Sequence, residues 1–424
     1  MQRRSFLATL GLPALAWTQD AASANDMKIA AVEMWRYDGQ YEAGPAGAHR
    51  QHQVQPIHIY DELRPKPYKE PAASDGKRLA KTSAYYLKIK TKGGLEGIYG
   101  PIDKEGAIVV DQQLKTFLIG KNAMAGEALW DQMHRSNRHS RASHFMIAIS
   151  AVDNAIWDLR GRYFKAPVYR LLGGPTRPSV EAYGSTLGYS VEPEAVRQNC
   201  AAFYKLGFRH QKWFLAYGPG DGTMGLERNI ELVKTLRETL GSQAEIMFDA
   251  FQGWSLDYAI QWAKAVEQYR PRWIEEAFHM DKLESFVALR KATSVPVATG
   301  EHIYGRWEVH RFLSSGAITV VQADPEWCGG TSELVKICTI ASAIDAQVIP
   351  HGHSLYSALH VVASQSPMTC PLVEYLIGKM SSYYHFEKNR MHPVNGKIAL
   401  PDRPGFGIEI DPAKAEKQTL ATWA

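Results

Sequence analysis

Asp249, Glu275, Glu301, Asp324 and His351 each close a short apolar run, in IMFD, RWIE, VATGE, VVQAD and VIPH. They are separated by 26, 26, 23 and 27 residues. One strand, one helix and two loops take about this length, so the cadence reads as successive β/α units. Parallel strands of a barrel all end on one rim, and residues distant in sequence then point into a shared mouth. Three carboxylates in that mouth would repel one another without a cation between them. Their hard oxygen donors suit Mg²⁺. The three spaced acids lack the matching His/Cys set that zinc would call for. The alternative for each acid alone is a polar cap on the following helix. Asp324 and His351 come from the next two strands. A carboxylate on one imidazole nitrogen fixes the tautomer and raises the basicity of the ring, so His351 would move a proton beside the metal.

Two further groups fall on the same rim. Lys212, in HQKWF, ends the second candidate strand; it is a second base, an electrostatic partner of a substrate carboxylate, or a surface lysine. Glu374, in VEYL on the eighth strand, is placed to donate or share a proton, or to pair with Lys212. The glycines of YGPGDGTMG lack the Gly-Lys-Ser/Thr ending of a phosphate loop and read as an ordinary long βα loop.

The elements that must position these residues start near Val180. From there a strand-then-helix alternation runs to about Tyr375, with candidate strands VEAYGST, RHQKWF, EIMFD, RWIE, VPVATGE, ITVVQAD, QVIPH and CPLVEY. Eight strands with amphipathic helices between them specify an α/β fold of the (β/α)8-type TIM-barrel class. Upstream, 28–36 and 84–93 read as strands, the second followed by a hairpin partner, and 106–135 reads as helical. A Gly/Pro/His-rich connection of roughly 38–80 lies between those strands, and so long a connection is functional or disordered. Ile149, Val152, Ile156 and Leu159 form a helical apolar stripe leading into the barrel. The expected organisation is an export signal at 1–24, an α+β N-terminal capping domain at 25–150, the barrel at 151–375, and a tail at 376–424 that packs back on the cap.

The chain is 45% hydrophobic and 22% charged, with a net charge of +4. No basic block or aromatic-interleaved basic patch supports nucleic-acid binding. Arg3-Arg4-Ser5-Phe6-Leu7, a short apolar stretch and Ala22-Ser23-Ala24 read as a twin-arginine signal cleaved after Ala24. That places the protein in the periplasm or otherwise outside the cytoplasm. The apolar stretch is too short to serve as a membrane anchor. Cys200, Cys328, Cys338 and Cys370 show no metal-binding spacing and are expected as free, mostly buried thiols.

These residues resemble the enolase superfamily in its mandelate racemase-like branch, over nearly the whole mature chain. AISAVDNAIWDLRGRYFKAPVYRLLGG looks like the segment leading into the family's barrel. FDAFQGW, WIEEAF and ATGEH look like its three metal-ligand strands, implying Asp249, Glu275 and Glu301. QADPEWCGG and IPHGHS look like its Asp–His dyad, implying Asp324 and His351. Within that branch, VQADPEWCGGTSELVKI, PHGHSLYS and VNGKIALPDRPGFGIEI are most similar to L-rhamnonate dehydratase-like acid-sugar dehydratases. Mandelate racemase itself carries two lysines on the second strand; here His210 replaces the first and only Lys212 remains.

The resemblance implies one Mg²⁺ per site and a small carboxylate substrate, a sugar acid. Catalysis would fall to His351, Asp324, Lys212 and Glu374, and His302, His210, Trp327, His353 and His49 would contact substrate. The expected reaction is proton abstraction α to the carboxylate and loss of the 3-hydroxyl, giving a 2-keto-3-deoxy acid. An epimerase, racemase or cycloisomerase is the alternative enzyme, and an exported acid-sugar binding protein is the alternative without catalysis. Barrels of this family commonly assemble, so a homo-oligomer is expected.

Overall fold

The computed structural model describes residues 25–43, 51–66, 78–139 and 141–423. His49 and the segment 1–24 lie outside the described residues. Strands β1 (Ile29–Ala43), β2 (Arg78–Thr91) and β3 (Glu96–Ile102) form an antiparallel meander. The first two strands run further than their apolar cores suggest. They stay in register out to Ala43 opposite Arg78, so the connection between them is shorter than 38–80. Cross-strand pairing continues here through mostly polar residues among which a few apolar ones keep no clear hydrophobic period.

Beyond the hairpin, helix Ser143–Tyr163 lies against β3 and buries Ile149, Val152, Ile156 and Leu159. It runs unbroken through position 150, so a cap–barrel boundary drawn there falls inside one rigid element. Its polar residues are buried too. Ser150, Asp153, Asn154 and Asp158 are each at most 2% exposed, which no amphipathic surface helix would show.

The barrel is built from eight parallel strands, each found where the sequence places one. They are β4 (Ser179–Ser185), β5 (His210–Phe214), β6 (Glu245–Asp249), β7 (Trp273–Glu275), β8 (Val297–Thr299), β9 (Val320–Val321), β10 (Gln347–Val348) and β11 (Leu372–Leu376). Neighbours pair in sequence order from β4 to β10, and β11 pairs with β4, so the first and last strands meet. Between β10 and β11 the ladder is replaced by one bond, Val348 N–H to Thr369 O at 2.7 Å. Tyr183, Met247, Trp273, Ala298, Val320, Ile349 and Leu372 fill the interior as a cluster of their own. A barrel of this size is plugged by side chains, and its chemistry sits at the strand ends.

The tail contributes two strands. β12 (Lys397–Ala399) adds antiparallel to β4, and β13 (Lys417–Ala421) adds to β1, completing the capping sheet in the order β13-β1-β2-β3. The four cysteines are free and buried. Among the described residues, no helix is long and apolar enough to cross a membrane.

Candidate active site

Asp249 and Glu275 are the last residues of β6 and β7, Glu301 follows β8, and Lys212 stands inside the barrel on β5. Parallel register places them side by side. Lys212 Nζ lies 2.5 Å from Glu275 Oε1, 2.9 Å from Glu374 Oε1 and 3.2 Å from Asp249 Oδ2, with all four side chains at most 3% exposed. The second oxygen of Glu275 accepts from Trp273 Nε1 at 2.9 Å, and Asp249 Oδ1 accepts from Phe251 N at 2.9 Å. Lys212 is thus no surface lysine. Burial disfavours its charge, yet Glu275 and Glu374 hold its pKa well above the ordinary lysine value.

Burial pushes Asp249, Glu275 and Glu301 above the ordinary carboxylate range, and the nearby acids push them further. Glu374 moves the other way. Against its burial, the charges of Lys212 and His351 bring it down to about 2. A fourth acid joins this group: Glu276, buried beside Glu275, at a positive φ of 45°. Its carboxylate meets His302 Nδ1 at 2.9 Å and Gln252 Nε2 at 3.2 Å. Burial draws His302 down, but the bond to Glu276 leaves its pKa raised.

Asp249, Glu275 and Glu374 contact a single ammonium, with Glu276 and Glu301 buried nearby, and the excess negative charge suits a hard divalent cation. Lys212 draws Asp249 and Glu275 toward itself in this arrangement. The ligand atoms that already lie within 4.8 Å of one another are those of Glu276, Glu301 and His302. In the sequence Glu276 is only the second acid of WIEE, one step past the strand end.

The dyad is formed. Asp324 Oδ2 accepts from His351 Nδ1 at 2.7 Å, while Oδ1 accepts from Glu326 N at 2.6 Å and Oδ2 also from His353 N at 3.3 Å. His351 Nε2 is left facing the carboxylates, 3.6 Å from Glu301 Oε2. The loop behind Asp324 is gripped by helix Ser143–Tyr163. Asn154 Oδ1 accepts from Thr331 N and Oγ1 at 2.9 and 2.8 Å, its Nδ2 donates to Pro325 O at 3.0 Å, and Asp153 accepts from Ser332 N at 2.9 Å. Gly330 has φ +90°, and an added Cβ would stand 2.5 Å from Asp153 Oδ2, so this loop needs glycine there.

These groups line a cavity of about 350 Å³ with Asp249, Glu301, His302, Trp327, His351, His353 and Lys379 in its wall. Gln55 and Pro56 of the capping domain close one side. They are held there because Gln51 N and Val54 N donate to barrel-loop carbonyls of Gly188 and Leu215 at 3.0 and 2.8 Å.

Of the predicted substrate contacts, His302, Trp327 and His353 line this cavity. His210 does not. It opens β5, where Nδ1 is 2.6 Å from Glu245 Oε2 and Nε2 is 3.3 Å from Glu181. Strand alternation puts His210 and Lys212 on one interior face, but two residues of rise, about 6.6 Å, separate their layers. His210 belongs to the opposite end of the barrel, with Glu245 and Arg272. Gln252, Asp103 and Lys379 were not anticipated, because each sits in a loop without a period to mark it.

Known proteins share the fold of this chain. The family described as Enolase C-terminal domain-like matches residues 195–414, and the Mandelate racemase / muconate lactonizing enzyme N-terminal domain matches 63–173. The L-rhamnonate dehydratase of Saccharopolyspora erythraea is 34% identical over 336 residues, covering 77% of this chain and 83% of that protein. The crystal structure of a rhamnonate dehydratase from Gibberella zeae complexed with Mg superposes with a TM-score of 0.78 at 27% identity, covering 91% of this chain and 95% of that one. The 3,6-anhydro-D-galactonate cycloisomerase of Zobellia galactanivorans shares the fold, with a TM-score of 0.72 at 23% identity over 92% of this chain and all of that one.

Proposed function

Because the chain belongs to the mandelate racemase/muconate lactonizing group of the enolase superfamily, we propose that it is a Mg²⁺-dependent acid-sugar dehydratase. The observation that carries this reading is a buried carboxylate cluster faced by the free Nε2 of an Asp–His dyad. Asp249, Glu275 and Glu301 would hold the ion. When bound, it supplies positive charge against the substrate carboxylate while the α-carbon loses its proton.

The chain's own residues account for the proton movements. Asp324 takes the Nδ1–H bond and keeps Nε2 of His351 as the lone-pair nitrogen. His351 removes the proton from C2 and returns one to the hydroxyl leaving C3, so that H and OH depart as one water. The enol left behind tautomerises to a 2-keto-3-deoxy acid. Lys212, holding its proton beside the ionised Glu374, would assist by neutralising charge on the opposite side. With three carboxylates around its ammonium, Lys212 suits an electrostatic role better than that of a second base. The capping segment around Gln55 and Pro56 shields the site from water.

The test is a library of acid sugars, L-rhamnonate among them, incubated with enzyme and Mg²⁺ and assayed for 2-keto acid. Keto-acid formation from at least one member is expected. Solvent deuterium entering recovered substrate without dehydration would move the reading to an epimerase. Export through the twin-arginine signal belongs to the same proposal and is supported by Arg3, Arg4 and the Ala22-Ser23-Ala24 segment. Mass spectrometry of exported protein should give Asn25 as its first residue, and an intact Met1 would overturn it. A homo-oligomer is the assembly we infer, checked by light scattering.

A further inference from the structure

A second tethered side chain stands in the cavity wall beyond His353. Lys379 follows β11, and its Nζ lies 2.8 Å from His353 Nδ1. The other nitrogen of His353 is 3.1 Å from Asp103 Oδ1, and Asp103 belongs to the capping domain. Asp103 takes the Nε2–H of His353, which leaves Nδ1 to accept from the ammonium. The ring of Tyr383 backs the ammonium at 4.3 Å, and Tyr383 is itself bonded to Pro101 O at 3.1 Å. Among the described residues, no carboxylate lies within salt-bridge distance of Lys379. Its position is therefore fixed from two domains, while Glu326, Asp103, Asp324 and Glu374 act on its charge only from beyond contact distance.

The location adds a direction. Lys379, Leu187 and Leu376 line both the catalytic cavity and a neighbouring one of about 290 Å³. The walls of the neighbour include Gln51, Gln53 and Gly188. One end of the catalytic cavity is thus rich in carboxylates that would hold a cation and the substrate's reacting carboxylate. Where Leu187, Leu376 and the fixed ammonium of Lys379 form the wall, the catalytic cavity borders the second one.

We propose that Lys379 selects acid sugars whose far end is itself anionic, so that sugar diacids are preferred over chains ending in a methyl group. The proposal rests on the acid-sugar dehydratase reading and departs from the substrate that the rhamnonate dehydratases are named for, whose chain ends in a methyl. A methyl against this ammonium would leave a desolvated charge with only neutral groups in contact, whereas a carboxylate would add a charged hydrogen bond. Sites built around such a bond discriminate strongly against the analogue that lacks it.

The experiment compares stereochemically matched aldarate, aldonate and 6-deoxyaldonate on Mg²⁺-loaded wild type, Lys379→Met and Lys379→Arg. Wild type should favour the diacid by at least ~10-fold in kcat/KM over the 6-deoxy acid, mainly through KM. Lys379→Met should abolish that ratio and Lys379→Arg should restore part of it. An unchanged ratio in Lys379→Met, or a wild type that favours the 6-deoxy acid, overturns the proposal. If none of the acids is dehydrated, the dehydratase reading fails. Calorimetric titration of the aldarate into Mg²⁺-loaded wild type and Lys379→Met then decides the Lys379 proposal separately. Binding at least ~10-fold weaker in Lys379→Met supports it, and equal binding or none overturns it.

Discussion

At the scale of single residues, the site separates holding charge from moving protons. The carboxylates crowd around Lys212, whereas His351 keeps one nitrogen committed to Asp324 and the other open. His351→Asn should therefore cut turnover by about 10²–10⁴-fold, the usual contribution of a general base. Mg²⁺ should still raise its melting temperature as it does for wild type, since no proposed ligand is lost. Differential scanning fluorimetry with and without Mg²⁺, beside a keto-acid assay, checks both halves. The residues at the ends of strands were readable because each ends an apolar run and the runs recur at one spacing. Glu276 was not, because it lies one step past the strand at a positive φ that no periodicity announces. Lys379 and Asp103 escaped for a related reason: their importance comes from a contact across domains that only the folded chain creates.

At the scale of elements, helix Ser143–Tyr163 does more than cover the barrel. Its apolar stripe was legible from a 3.6-residue period. Its buried polar face was not, since Asp153, Asn154 and Asp158 look like a solvated face until their partners are known. Asn154 fastens the loop that carries Asp324, although it does not line the cavity. Asn154→Ala should destabilise the protein by about 1–3 kcal/mol, because Thr331 N and Pro325 O lose a buried partner. It should also lower kcat more than it alters KM, because the orientation of the dyad depends on that loop. Chemical denaturation and steady-state kinetics on one preparation would show both effects. Asp158 plays a parallel part toward the cap and tail. It accepts from Ile98 N at 2.9 Å and Phe406 N at 2.8 Å, and pairs with Arg162 at 2.6 Å.

At the scale of the whole molecule, cap, barrel and tail meet on Glu387. This fully buried acid accepts from Tyr86 of β2 at 2.8 Å and from Tyr356 of the helix after β10. Burial pushes its pKa up to about 8 in spite of those bonds. A folded value above the unfolded one means that this group's stability is present below the ordinary carboxylate pKa. It is lost as pH rises through about 8. Wild-type melting temperature should accordingly fall between pH 6 and pH 9, and Glu387→Gln should flatten that slope. Scanning fluorimetry across the range tests the sign. The architecture was legible from the alternation of strands and helices, but β13, the short and mostly exposed KQTLA that pairs with β1, carries no alternating apolar pattern to read. The barrel also has an unsealed edge. Where β10 and β11 fail to form a ladder, Val348 bonds to Thr369, and Gly352 N donates to Glu374 Oε2 at 2.8 Å. His351 immediately precedes that second clasp. The staves of the barrel are therefore pinned together at their last joint by a group of the reaction centre, and any event that redistributes charge on Glu374 also slackens or tightens the vessel in which it occurs.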